Sequence, residues 1–299
     1  MKIEAVRKEN RLVFLAMGEV YARQAIYALL SLLKVYRIKL PRSLHVVVYT
    51  DTPALFSQLQ EVISLELVYL SNEKFSSWKG DKQQLFRTKI RLLQEMSNAG
   101  QGSIVYADTD IIFYKKVDKL FSWLNKGNTL LHTKEATLST EGFQTYCDSF
   151  CGRQFTLASE RSIDILDSHY MWNAGVIGLP RSKFSLVDDV LELNDRLLAI
   201  NDLRLVEQLA FSVVLAVSSS LRECHDVIFH YCWNGGKDKM DEQIKQLLRD
   251  YSSDGVGAPV KHLDKYKVYY PSTKEKLVYF SNPRNFVAML KRKLSYLLK

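Results

Sequence analysis

The chain has 299 residues, 41 Lys and Arg against 33 Asp and Glu, and a formal net charge of +8. That length gives one large domain or two small ones with a buried core, and 47% hydrophobic with 25% charged residues excludes global disorder. Thirteen Gly and six Pro exclude a collagen-like or linker-dominated chain, while the positive excess points to an anionic partner: phosphate, nucleic acid or a membrane surface.

Residues 1–10 are charged and lack an apolar segment of signal-peptide length, and neither 12–17 nor 209–217 is long enough to span a bilayer. We therefore expect a cytoplasmic protein. Cys147, Cys151, Cys224 and Cys232 lack tight zinc-knuckle spacing and are expected to be reduced thiols rather than zinc ligands or disulfides.

Residues 12–16 form a short apolar run that Gly18 breaks, predicting a buried strand, and 20–36 carries apolar residues at helical spacing. Residues 44–49 predict a second strand, followed by a turn and helix start at 50–53. A third strand is expected at 65–70, a helix at 82–97, and a fourth strand at 103–107 running into Asp108-Thr109-Asp110. Such alternation argues for a mostly parallel sheet covered by helices, with ligands beyond the C-terminal strand ends. Gly18, Asp51 and Asp108 all fall at such ends. The second half is less regular. A strand is expected at 129–132, a long polar lid or acceptor region at 133–167, and a strand at 176–179 after a turn at 173–175. Helices follow near 186–200 and 203–217, then a segment with His230 and a Gly235-Gly236 turn. Nothing reads as a flexible linker.

Asp108 and Asp110, two residues apart after an apolar strand, are expensive to bury without partners, because like charges so close raise each other's pKa. A divalent cation relieves that cost, and hard oxygen ligands suit Mg2+ or Mn2+. The small residues of Trp172-Asn173-Ala174-Gly175 allow close backbone approach, and the Asn173 amide offers both a donor and an acceptor. His230 adds an imidazole suited to complete a metal shell, and Lys237 follows it on a glycine turn as a phosphate-binding point charge. Arg87 and Lys89 lie on the helix feeding the Asp-x-Asp strand; Arg87 is the candidate for phosphate, Lys89 for the solvated face. Glu207 and Gln208 sit inside an apolar helix and need partners there.

In this order the motifs resemble GT-A nucleotide-sugar glycosyltransferases, nearest to retaining family 8-type enzymes and related bacterial nucleotide-diphospho-sugar transferases. The residues that carry the likeness are Phe14-Leu15-Ala16-Met17-Gly18 with Tyr21, Tyr49-Thr50-Asp51, Phe86-Arg87-Thr88-Lys89, Tyr106 to Asp110, Asn173 to Gly178, Val206-Glu207-Gln208 and His230. The resemblance implies an α/β, Rossmann-like fold with a mixed, mostly parallel sheet flanked by helices. It implies one compact transferase domain over 1–280. It implies nucleotide contacts from Ala16, Gly18, Tyr21 and Asp51, and donor contacts from Arg87, Asp108, Thr109, Asn173, Gly175 and Lys237. Mn2+ or Mg2+ would be held by Asp108, Asp110 and His230. The implied reaction moves a sugar from a nucleotide-diphosphate sugar, UDP-linked by expectation, to a hydroxyl on a glycan or lipid-linked acceptor in bacterial glycan or glycolipid synthesis. Retention is favoured over inversion, with Gln208 and Asn173 supporting the sugar. An inverting reaction would need a base, for which Asp167, Glu207 and Asp226 are candidates. One departure is the absence of the Pro-Trp that follows the late lysine in that family. The competing readings are a haloacid-dehalogenase-type phosphatase or phosphotransferase, with Asp108 as nucleophile, and a non-catalytic nucleotide-sugar-binding protein.

The charge is uneven. After Glu275 come six basic residues and no acid, and the chain up to it holds 35 basic against 33 acidic residues. Phe286, Leu290, Leu294, Leu297 and Leu298 share one helical face of this tail. A basic amphipathic helix over 281–299 is expected, with its residues 283–299 facing an anionic membrane surface at the inner face of the plasma membrane. Without the tail's charge the body is nearly neutral, and no nucleic-acid-binding pattern is present, so nucleic acid is not an expected partner.

Overall fold

The computed structural model describes residues 10–99, 102–232, 234–252, 254–266, 281 and 283; the side chains of 99 and 234–238 lie outside the described set. In chain order the first half contains β1 (Asn10–Ala16), α1 (Glu19–Val35), β2 (Leu44–Thr50), α2 (Ser57–Gln60), β3 (Leu65–Tyr69), α3 (Asn72–Lys79), α4 (Arg87–Ala99), β4 (Ile104–Ala107) and β5 (Ile111–Phe113). Then come α5 (Asp118–Asn125), β6 (Thr129–Thr137), α6 (Gln144–Phe150), β7 (Gln154–Thr156), β8 (Ser162–Asp164) and β9 (Tyr170–Leu179). The chain continues with α7 (Leu186–Ile200), α8 (Val206–Ser218), β10 (Leu221–Glu223), β11 (Ile228–His230), α9 (Asn234–Asp250) and α10 (Gly257–His262).

Seven of these strands form one sheet in the order β10-β6-β9-β4-β1-β2-β3. β3, β2, β1 and β4 run parallel, and β9 is antiparallel to both β4 and β6. The C-terminal ends of β1, β2, β4 and β6 therefore share one edge with the N-terminal half of β9. The alternation along β1 explains the layers. Leu12, Phe14 and Ala16 face a core with α1, α5, α9 and α10, whereas Val13 faces a second core with α4, α7 and α8. Both faces are covered, which is why these strands read as continuous apolar runs.

Local chemistry sets the boundaries. α1 starts after Gly18, whose φ of 86° is left-handed, with Glu19 in its first turn and Lys34 in its last, each complementing the helix dipole. The predicted helix at 82–97 begins later, at Arg87, because Gly80 at φ 66° ends α3 and Gln83 takes φ 50° in the turn between. The polar stretch 133–167 is no open lid. β6 continues to Thr137, and α6 and the β7–β8 hairpin pack Phe150, Phe155 and Ile163 into the second core. The turn expected at 173–175 lies inside β9, as an irregularity in its pairing with β6. The Gly235-Gly236 turn is likewise corrected: both residues fall within α9. Cys147 and Cys151, expected as reduced thiols, are joined as a disulfide across the last turn of α6, while Cys224, which is buried, and Cys232, which is exposed, take part in no disulfide. The basic helix expected over 281–299 lies outside the described residues, apart from the isolated positions 281 and 283.

Candidate active site

The strand edge carries a cleft of about 540 Å3, a size typical of small-ligand sites. Its floor is built by three elements. β4 delivers Asp108 just past its end, and the Asp108 N–H donates to the Gly175 carbonyl on β9 at 2.8 Å. Asp110 follows, and the next residue, Ile111, pairs antiparallel with His230 of β11. The Tyr231 N–H donates to the Asp110 carbonyl at 3.0 Å, which fixes His230 above Asp110. His230 Nε2 lies 3.2 Å from Asp110 Oδ1 and 3.8 Å from Asp108 Oδ2. One ligand atom from each of Asp108, Asp110 and His230 lies within 4.8 Å of the others.

The imidazole is held in a defined orientation. The Gly175 N–H donates to Asn173 Oδ1 at 3.0 Å, which orients that amide, and His230 Nδ1 lies 3.0 Å from the same oxygen. Nδ1 is therefore the ring nitrogen that donates to Asn173, and Nε2, 3.2 Å from Asp110 Oδ1, is the one turned toward the two carboxylates. Three electron-rich atoms converging in a buried place suit a hard or borderline divalent cation such as Mg2+ or Mn2+, so the residues present fit the metal that the resemblance implies. Gly175 makes room for this: a Cβ there would lie 2.3 Å from the His230 ring.

Beside the carboxylates lies a buried cation. Lys89 is 5% exposed. Its Nζ sits 3.3 Å from Asp108 Oδ1, 3.3 Å from Glu207 Oε1 and 3.2 Å from the Ala174 carbonyl. Burial alone would lower the lysine, but the Asp108 and Glu207 charges outweigh it and hold the ammonium above its ordinary pKa. Glu207 is raised by its own burial, which Lys89 only partly offsets. Tyr106 donates its hydroxyl to Asp108 Oδ1 at 2.7 Å, and burial together with that carboxylate raises its pKa far above the ordinary value.

No protein-family model matches the chain, and no curated protein matches it by sequence. By structure it is similar to the galactosyltransferase LgtC in complex with donor and acceptor sugar analogs, at TM-score 0.51 and 13% identity over 80% of this chain and 95% of that one. The chain has the GT-A fold. Two further similar structures are mouse xyloside xylosyltransferase 1 (TM-score 0.46, 13% identity, 72% of this chain and 85% of that one) and GlyE of Streptococcus pneumoniae TIGR4 (0.49, 13%, 89% and 66%).

Within this GT-A domain the sequence candidates separate. Asp108, Thr109, Asp110, Asn173, Gly175, Glu207, Gln208, His230 and Tyr21 all reach the cleft. Thr109 donates its hydroxyl to Gln24 Oε1 at 2.9 Å. Ala16 is buried at the end of β1, and Gly18 donates its N–H to Asp51 Oδ1 at 2.8 Å, so this pair closes the first loop beside the cleft rather than lining it. The expectations for Arg87 and Lys89 are reversed. Arg87 turns away from the cleft and makes a two-point pair with Asp195 on α7, 2.7 Å at each contact, plus a bond to the Trp78 carbonyl. Lys89 takes the cleft instead. Asp167 stands on an exposed loop outside the cleft, and Asp226 is held on the surface by Lys115 and Lys119. Of the three base candidates, only Glu207 faces the cleft. The Lys237 side chain lies outside the described set. The sequence reading missed Glu135 and Arg204, both in the cleft wall. Arg204 carries no local signal. Glu135 was hidden in a stretch read as a lid, although a charged residue within the β-prone run 129–137 is itself a cue. The Tyr106 and Lys89 contacts leave Asp108 unsuited to the free-nucleophile role that the haloacid-dehalogenase reading requires.

Proposed function

We propose that this chain is a metal-dependent glycosyltransferase that moves a sugar from a nucleotide-diphosphate sugar, UDP-linked, to an acceptor hydroxyl on a glycan or lipid-linked carrier in bacterial glycan or glycolipid synthesis. The observation that carries the reading is the Asp108–Asp110–His230 set at the strand edge of a GT-A fold. LgtC, similar in fold, was solved with donor and acceptor sugar analogs.

Asp108, Asp110 and His230 would hold Mn2+ or Mg2+, which when bound supplies positive charge to a leaving diphosphate. Lys89 adds a fixed ammonium at the same wall and partly offsets the charge of Asp108 and Glu207 before substrate arrives, which is preorganised electrostatics rather than rearrangement. Met17, Tyr21, Phe86 and Leu205 form an apolar part of the cleft wall that displaces water when a ligand enters. Tyr21, with the loop closed by Gly18 and Asp51, is assigned to the nucleotide, and Asn173, Gly175 and Gln208 to the donor sugar. Retention fits better than inversion, because Glu207 is engaged by Lys89 and the other two base candidates stand outside the cleft. The basic segment 283–299 extends the reading to an anionic membrane surface on the cytoplasmic side. The sequence pattern supports that step, and liposome co-sedimentation with and without 283–299 tests it. No helix among the described residues is long and apolar enough to cross a membrane.

The deciding experiment is slow hydrolysis of a panel of nucleotide-sugars. We expect Mn2+-dependent release of UDP from one donor, abolished by EDTA. Binding without turnover of any donor would replace the enzyme with a nucleotide-sugar-binding protein.

A further inference from the structure

The two strands that frame the cleft both break register beside it. Between Ile177 and Asn173 of β9, three residues stand opposite His132 alone. Between Lys134 and Thr137 of β6, Glu135 and Ala136 stand opposite Met171 alone. Bulges of this kind bend a strand and re-aim a side chain, and here the re-aimed side chain is Glu135, in the cleft wall.

Its carboxylate meets two amides. Asn173 Nδ2 donates to Glu135 Oε1 at 3.4 Å, and Gln208 Nε2 donates to Glu135 Oε2 at 3.0 Å. Neither amide can turn over freely, because each oxygen is already held by a backbone donor. Asn173 Oδ1 accepts from the Gly175 N–H, and Gln208 Oε1 accepts from the Ala174 N–H at 3.3 Å. A flip would set NH2 against N–H in both cases. The two NH2 groups are thus directed at one carboxylate, one oxygen each. Asn173 Oδ1 is also the acceptor for His230 Nδ1. A continuous chain of hydrogen bonds therefore runs from Gln208 through Glu135 and Asn173 to His230 and ends facing Asp110.

We propose that Glu135 is a positioning residue that locks Asn173 and Gln208 together and thereby holds the His230 ring with its Nδ1 proton on Asn173 and its Nε2 turned toward the place a cation would take. The coupling to His230 stands on the hydrogen bonds alone; the consequence for sugar transfer, through Gln208, rests on the transferase reading above. Outer-shell partners that orient a ligand imidazole commonly change metal affinity by about 10- to 100-fold when removed.

Three readouts test it on the full-length chain. In metal-free wild type, 15N NMR of histidine-labelled protein at alkaline pH should show His230 protonated at Nδ1. Glu135→Ala should shift the ring toward a mixture of tautomers and raise the Mn2+ dissociation constant about tenfold or more, measured by electron paramagnetic resonance without nucleotide. Glu135→Gln keeps the shape and one acceptor but turns an NH2 toward one of the amides, so it should move both readouts in the same direction by less. Combining Glu135→Ala with Asn173→Ala should weaken Mn2+ binding no further than Asn173→Ala alone, because both act through one route. Lys134→Ala, next in sequence with its ammonium over the Tyr170 ring, should leave every readout unchanged. The proposal is overturned if wild-type His230 carries its proton on Nε2, or if both Glu135 variants match wild type. It is also overturned if only Glu135→Ala shows a loss, which would assign a packing role, or if the two alanine effects multiply. A wild type that releases no UDP from any donor defeats the transferase reading, while the tautomer and Mn2+ measurements still decide the role of Glu135.

Discussion

Arg87 and Lys89 are two residues apart on α4, and they serve opposite purposes. Arg87 forms a private pair with Asp195 that ties α4 to α7, with both charges partly in contact with solvent. Lys89 is buried against the cleft and shared between Asp108 and Glu207, one of which belongs to the candidate metal set. The difference shows how burial converts an ion pair from a fastener into chemistry. A private, half-solvated pair contributes a little stability. A shared, desolvated one fixes the direction of each member, and the structure depends on all of them together.

The comparison is sharpened most by Asp110→Ala. On the cleft side this should remove UDP release by on the order of a hundredfold or more and abolish Mn2+ binding, with the circular-dichroism spectrum unchanged; retained activity would dissolve the cleft assignment. Next is Lys89→Met, which leaves Asp108 and Glu207 buried without their cation. We expect a loss of about 3–5 kcal/mol in denaturant unfolding together with loss of turnover, and no rescue by Lys89→Arg, whose planar fork cannot occupy a point between two carboxylates and a carbonyl. Gly175→Ala should push the His230 ring aside at a cost of about 1–3 kcal/mol, with Mn2+ affinity falling more than the melting temperature. The smallest change is on the other side. Arg87→Met should reduce stability by about 1–2 kcal/mol and leave kcat/KM for the donor untouched. A drop in kcat/KM with unchanged stability would break the contrast between the two cations.

The same contrast explains what was legible. Asp108 and Asp110 could be read because their signal is local: two acids after an apolar run imply a shared partner whatever surrounds them. Asn173 and Gly175 were legible as small residues that allow close approach, but the turn expected there is a strand irregularity, since period and composition cannot reveal register. Arg87 and Lys89 were misjudged because spacing along a helix shows only that they face differently; which of the two faces meets carboxylates depends on where α7 and β4 pack. Glu135 was overlooked for a related reason. Its partners lie 38 and 73 residues away, and the bulge that aims it arises from the pairing of β6 with β9.

The sequence by itself determined the alternation of strands and helices, the strand edge where ligands gather and the Asp-x-Asp pair, because periodicity, breakers and the cost of buried charge act over a few residues. Only the tertiary structure decided the antiparallel insertion of β9, the seat of His230 over Asp110, the exchange of parts between Arg87 and Lys89, and the joining of Cys147 to Cys151. Those depend on which distant surfaces meet, and the energy of a buried charge is set by the groups that finally surround it.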